Sequence, residues 1–97
     1  MGAVRKHDKW LSEKLKDADF AAEYLNAAAE DDDPATYLAA LRKIAEARGG
    51  PAHIAEETGL SREALYRTLS SRGNPTVKTL TAILKVSGLK LSFSAKT

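Results

Sequence analysis

The sequence predicts a mainly α-helical fold: a helix-turn-helix domain with a helical extension before it and a single β-strand after it. Three observations lead there. The stretch GGPAHIAEETGLSREALYRTL, from Gly49 to Leu69, holds two short amphipathic helix patterns hinged on Gly59. Segments on both sides repeat apolar residues at helical spacing behind good capping residues. The tail Leu89-Lys90-Leu91-Ser92-Phe93-Ser94 alternates apolar and polar residues, which is the period of a half-buried strand.

Met1 to Lys9 is polar and basic and reads as an arm without regular structure. Trp10, Leu11 and Leu15 then predict a helix from about Asp8 to Lys16. Asp17 is a fitting N-cap for a second helix reaching about Ala29, with Phe20, Tyr24 and Ala28 in one i, i+4 row. The acidic run Glu30 to Asp33 leads into Pro34, and Asp at the cap with Pro at the first helical position starts a third helix. Tyr37, Leu38, Leu41, Ile44 and Ala45 mark its inner side as far as about Arg48, Arg42 and Lys43 point outward, and Gly49-Gly50 ends it. Pro51 opens the first motif helix, which closes near Thr58, and Ser61 caps the second, which runs to about Ser70. After the turn-rich break Arg72-Gly73-Asn74-Pro75, Thr76 caps a last helix with Val77, Leu80, Ile83, Leu84 and Val86 inward, ended by Ser87-Gly88. Residues 1–33 thus form a basic arm and helical extension, and 34–97 the helix-turn-helix domain, in one compact unit.

The motif residues have steric roles. Two helices crossing at ~90–120° bring their backbones close, so Ala55 suits the crossing point. Gly59 supplies the positive φ of the turn without a Cβ clash. Ile54, Leu60, Leu65 and Leu69 close the core between the helices. The predicted strand raises a different question, because a lone strand leaves its backbone groups unpaired. Pairing with the same strand of a second copy would satisfy them, giving a homodimer with Leu89, Leu91 and Phe93 at the interface. The plain alternative is an extended tail lying on its own core.

Ninety-seven residues suit one small domain without a large enclosed active site. No cysteine is present, so disulfides and thiolate metal ligands are excluded. No apolar run approaches the ~18 residues of a membrane span, and a cytoplasmic protein is expected. Four consecutive acidic residues leading into a helix start read as capping and not as a cation loop, so no metal or other cofactor is expected. Catalysis finds no support, with no nucleophile beside a base, and the adjacent Glu56 and Glu57 diverge on a helix. His53 near the start of the first motif helix reads as an exposed residue without a role. Net charge is only +2, but it is polarised. Residues 1–50 hold eight Lys and Arg against ten Asp and Glu, while 51–97 hold seven against three. The basic half offers a polyanion one face to bind.

The order AEETGLSREALYRTLS, then GNPT, then a helix ended by SGLKL resembles HigA-like addiction-module antidote proteins, a branch of the Xre-type helix-turn-helix regulators. The resemblance covers roughly residues 17–94, and LKDADFAAEYLNAA is similar to the family's upstream helix. Ala18 departs from it, standing where related sequences often have proline. The resemblance implies a five-helix, lambda-repressor-like domain. It also implies an antitoxin that binds a double-stranded DNA operator, represses its own operon and neutralises a small basic RelE/ParE-like toxin. The toxin comes from the resemblance alone.

In such a motif the second helix enters the major groove. With Leu65 in the core, Glu63, Arg67 and Ser70 face away, Tyr66 lies on the flank and Arg62 projects from the first turn. Arg62 and Arg67 are the best candidates for guanine, Glu63 for cytosine N4, and Tyr66 for a thymine methyl or a phosphate. Tyr66 could equally be a ring packed at the motif's edge. Ser61, Ser70, Arg72, Asn74, Thr76 and Lys78 stand at helix ends and the adjoining turn, where phosphates are commonly held. Trp10, Phe20 and Tyr24 in the acidic half are candidates for a toxin surface, against the plain reading that they attach the first helices to the third. Two other functions fit the same fold: a stand-alone or phage-type regulator without a toxin, and a protein-interaction module that has lost DNA binding.

Overall fold

The computed structural model of the protein describes residues 2–96; Met1 and Thr97 lie outside them. Among the described residues there are six α-helices: α1 (Gly2–Lys14), α2 (Ala18–Ala29), α3 (Pro34–Ile44), α4 (Pro51–Thr58), α5 (Arg62–Thr68) and α6 (Val77–Val86). Four of them begin where the sequence places a cap. The carboxylates of Asp17 and Asp33 accept the amides of Asp19 and Ala35 at 2.9 and 3.0 Å. The hydroxyls of Ser61 and Thr76 accept those of Ala64 and Thr79 at 3.0 and 3.1 Å. Each satisfies one donor that the first turn would otherwise leave free. In the acidic run, Asp31 accepts the amide of Asp33 at 2.8 Å. Among the described residues no three or more acidic or histidine side chains converge on a possible cation site.

α3 does not stop at the predicted Gly49-Gly50 as an α-helix. It widens into a π-helical turn over Ala45–Gly49, closed by the Gly50 amide on the Ala45 carbonyl at 2.7 Å. α2 packs along α3, and α4 packs against α5, α6 and the π turn. Leu15, Leu41, Ile44, Ile54, Leu65 and Ile83 are fully buried, so one core joins α1 to α6.

Three expectations fail, the smallest at Val77, which was expected inward and stands exposed at the start of α6. The N-terminal residues are not an unstructured arm, since α1 starts at Gly2 and not near Asp8. Once Leu11 and Leu15 fix the helix against the core, each preceding residue adds a hydrogen bond without a new nucleation cost, and no proline interrupts them. α1 is the helical extension expected before the five-helix domain, begun earlier than its apolar residues indicate.

The C-terminal β-strand is absent: among the described residues there is no strand, and Leu89 to Lys96 follow no regular pattern. α6 ends in a turn in which the Leu89 amide bonds the Leu84 carbonyl at 2.8 Å and the Gly88 amide bonds Lys85 at 3.1 Å, folding Leu89 back against the core. Past that point the segment borders a groove along α2 without forming a ladder. Leu91 is 46% exposed and Phe93 89%, and no second extended segment stands beside them to complete a ladder. An alternating pattern reports which side chains could share a face; it does not supply the pairing that makes a strand.

Candidate nucleic-acid interface

The turn between α4 and α5 is built as its sequence requires. Gly59 has φ 75° and ψ 7°, the left-handed conformation that costs a residue with a Cβ roughly 1–2 kcal/mol. Beside it the Thr58 hydroxyl donates to the Ala55 carbonyl at 3.2 Å and accepts the Leu60 amide at 3.3 Å, so the helix end leaves little backbone unsatisfied. Ala55 and Ile54 of α4 and Leu65 and Leu69 at α5 are buried. α5 therefore presents its opposite side to solvent, with Glu63 and Arg67 exposed on it and Arg62 exposed in the first turn.

The remaining candidates divide by what their side chains already hold. Tyr66 is partly buried, and the Arg42 guanidinium lies over its ring at 5.0 Å, which makes the ring in part an α3–α5 contact. The Ser70 hydroxyl donates to the Arg67 carbonyl at 2.7 Å and that of Thr76 donates to Thr79 Oγ1 at 3.1 Å. Ser61 accepts in its cap and keeps its own proton for a further acceptor. Arg72, Asn74 and Lys78 are exposed around the α5–α6 junction. Gly73 there comes so close to the end of α5 that a Cβ would stand 1.7 Å from the Thr68 carbonyl oxygen. The junction is thereby held tight under α5.

The aromatic candidates of the first half form a ladder. Trp10 meets Phe20 edge-on at 6.1 Å and Phe20 stacks near Tyr24 at 6.5 Å, with His7 on the far side of Trp10 at 5.9 Å. Phe20 and Tyr24 pack against the core, whereas Trp10 is 50% exposed under the Lys14 ammonium. Along the groove between α2 and the C-terminal segment, burial pushes the Tyr37 hydroxyl above its ordinary pKa by disfavouring the phenolate.

Two residues escaped the sequence reading. Arg42, expected only to point outward, is carried by α3 to the flank of α5. Arg48 is the second: its guanidinium donates to the Lys16 carbonyl and, through Nε, to the Ser87 carbonyl, and reaches that of Leu15 at 3.5 Å. One side chain thus closes the C-terminal ends of α1 and α6, where carbonyls lack helical partners and positive charge is favoured. A signal for Arg48 existed, since it follows buried Ile44 by four residues and so falls on the inner face of α3.

Comparison with known proteins adds a family. The model of a family described as "Probable addiction module antidote protein" matches residues 4–95. A protein of Haemophilus influenzae (strain ATCC 51907 / DSM 11121 / KW20 / Rd), described as an uncharacterized protein, is 38% identical over 89 residues, which is 82% of this chain and 91% of its own. No solved structure gives a significant match.

Proposed function

Because the chain belongs to the family of probable addiction module antidote proteins, we propose that it is the antitoxin of a type II toxin–antitoxin module and a sequence-specific repressor of that module's operon. The observation that carries the DNA half of this reading is α5: a capped helix behind a left-handed glycine turn, with Arg62, Glu63 and Arg67 facing solvent. The basic balance of residues 51–97 supports it. The protein acts by binding, without catalysis, in the cytoplasm; no helix is long and apolar enough to cross a membrane among the described residues.

Its protein partner is a small basic toxin of the RelE/ParE type, received by the acidic half around Trp10, Phe20 and Tyr24. Opposite charge favours that encounter and keeps it off the DNA face. The half-exposed Trp10, held by its neighbours in the ladder, is the side chain best placed to anchor it. On DNA the chain works as a homodimer, with two copies of α5 reaching half-sites ~34 Å apart. The exposed Phe93 and Leu91 offer the second copy apolar surface. Phe93→Ser should then shift light-scattering mass towards the monomer, and an unchanged dimer would move the interface elsewhere.

The test of the whole reading is co-expression with the neighbouring open reading frame, co-purification and a DNA-shift assay on the upstream sequence. Arg67→Ala should weaken operator binding by ~1–3 kcal/mol and relax base preference at one position of each half-site. Lys78→Ala should weaken all sequences alike. An operator titration unchanged by Arg67→Ala would show that this face does not read bases.

A further inference from the structure

We infer that the cleft between α3 and the C-terminal end of α5 is a phosphate-binding site in which Arg42 and Lys43 hold the DNA backbone beside the recognition helix. It rests on the DNA-binding reading above and assigns it residues from outside the helix-turn-helix. The cleft, about 310 Å³, is lined by Arg42, Lys43 and Glu46 of α3 and the π turn and by Leu69, Ser70 and Ser71 after α5.

Position is the first argument. Tyr66 stands 100° round the helix from buried Leu65 and 100° short of exposed Arg67, so it marks the border of the outward face. Arg42 lies over that ring at 5.0 Å, which holds a cation from another helix at the same border. A helix in the major groove has a phosphate strand on either side of it, in a groove only ~12 Å wide. A charge fixed at the helix flank therefore meets backbone and not base edges.

Chemistry is the second. A guanidinium held over an aromatic ring by cation–π attraction still has N–H donors for an oxyanion and loses less freedom when it binds one. Neither cation is firmly neutralised in the free protein. Arg42 stands 4.0 Å from Glu46 and Lys43 4.0 Å from Asp8, beyond hydrogen-bonding distance, with all four side chains roughly half exposed. Such pairs hold little energy against a phosphate that both cations can reach. Glu46 is then a competitor for Arg42, which gives the inference a signature of opposite signs.

The probe is a mixed-sequence duplex two helical turns long, titrated at several salt concentrations against variants shown to be folded by circular dichroism and melting. Arg42→Gln and Lys43→Gln should each lower the slope of log affinity against log salt by about 0.9, because each removes one phosphate contact. Arg42→Lys should keep that slope, since the charge stays. Glu46→Gln should tighten binding. A side chain with only a packing role would lower the melting temperature without changing the slope. If the wild-type chain binds the duplex and both glutamine variants keep its slope, this inference fails alone. If the wild-type chain binds neither this duplex nor its upstream sequence, the DNA-binding reading fails and the inference with it.

Discussion

The junction between α5 and α6 and the junction between α1 and α2 are both helix ends, yet they are closed by different means. Around α5, the hydrogen bonds that close its ends are near in sequence: Ser61 caps Ala64, Ser70 turns back to Arg67, the Gly73 amide takes the Ser70 carbonyl at 2.8 Å, and Thr76 caps Thr79. At the end of α1, the Lys16 and Asp17 amides bond locally to the Glu13 and Lys14 carbonyls, and Arg48 adds a remote closure, 32 residues away from the Lys16 whose carbonyl it holds and 39 from Ser87. Local closure sets the shape of a segment whatever the rest of the chain does. Remote closure sets how segments lie against one another. The face proposed for DNA rests on the first kind, and the attachment of the N-terminal helices rests in part on the second.

Gly73→Ala is the largest break available to the local side. Its Cβ would lie 1.7 Å from the Thr68 oxygen and 2.4 Å from the Thr68 carbon, both backbone atoms that cannot swing aside. The junction must open, and a loss of ~3 kcal/mol or more in denaturant stability is expected. DNA affinity should fall further than the unfolded fraction explains, because α5 and the start of α6 would separate. A fully stable Gly73→Ala protein would show that the junction is loose.

Arg48→Ala is the matching break on the remote side. It removes charged hydrogen bonds to carbonyls at two helix ends, one exposed and one partly buried, for which ~1.5–3 kcal/mol is an upper range. Lysine should not restore it, since one ammonium cannot reach carbonyls on two sides as a planar fork does. Hydrogen exchange should report where the loss falls: faster in α1 and at the end of α6, little changed in α5. Equal acceleration in α5 would erase the distinction between the two kinds of closure.

That distinction also explains what the sequence could tell. The starts of α2, α3, α5 and α6 were legible because a cap is written within three residues of the amide it serves, as with Asp33 and Ala35 or Ser61 and Ala64. The outward placement of Glu63 and Arg67 was legible for the same reason, being fixed by helical period once Leu65 is inward, and that of Arg62 by its place in the first turn. The strand at Leu89 to Phe93 was misread because pairing is a property of two segments and the alternation describes one. The start of α1 was missed because a helix propagates beyond its packed residues without announcing it. Tyr66 and Arg42 belong to helices whose contact no local pattern records. Arg48 lay between these cases: its place on the inner face could be read, but not the carbonyls that await it.

Ser87 allows the smallest and sharpest test of the remote closure, because it separates a carbonyl from a side chain at one residue. Its carbonyl accepts from Arg48, while its hydroxyl, in a residue only 1% exposed, has no hydrogen-bond partner among the described residues. An unpartnered buried hydroxyl costs ~1–3 kcal/mol of lost hydration, and replacing it with hydrogen removes that cost while leaving a gap of a single atom. Ser87→Ala keeps the backbone carbonyl and so keeps the Arg48 contact. The two effects of the substitution oppose one another, and the net expectation is a change between zero and ~1 kcal/mol in the stabilising direction, read from the denaturation midpoint at unchanged slope. In the double variant with Arg48→Ala the change should equal the sum of the two single changes within ~0.5 kcal/mol, since the hydroxyl takes no part in the closure. A loss of more than ~1 kcal/mol from Ser87→Ala by itself would mean that the hydroxyl has a partner in solution and that α6 is held at this end by its side chain as well as by its backbone.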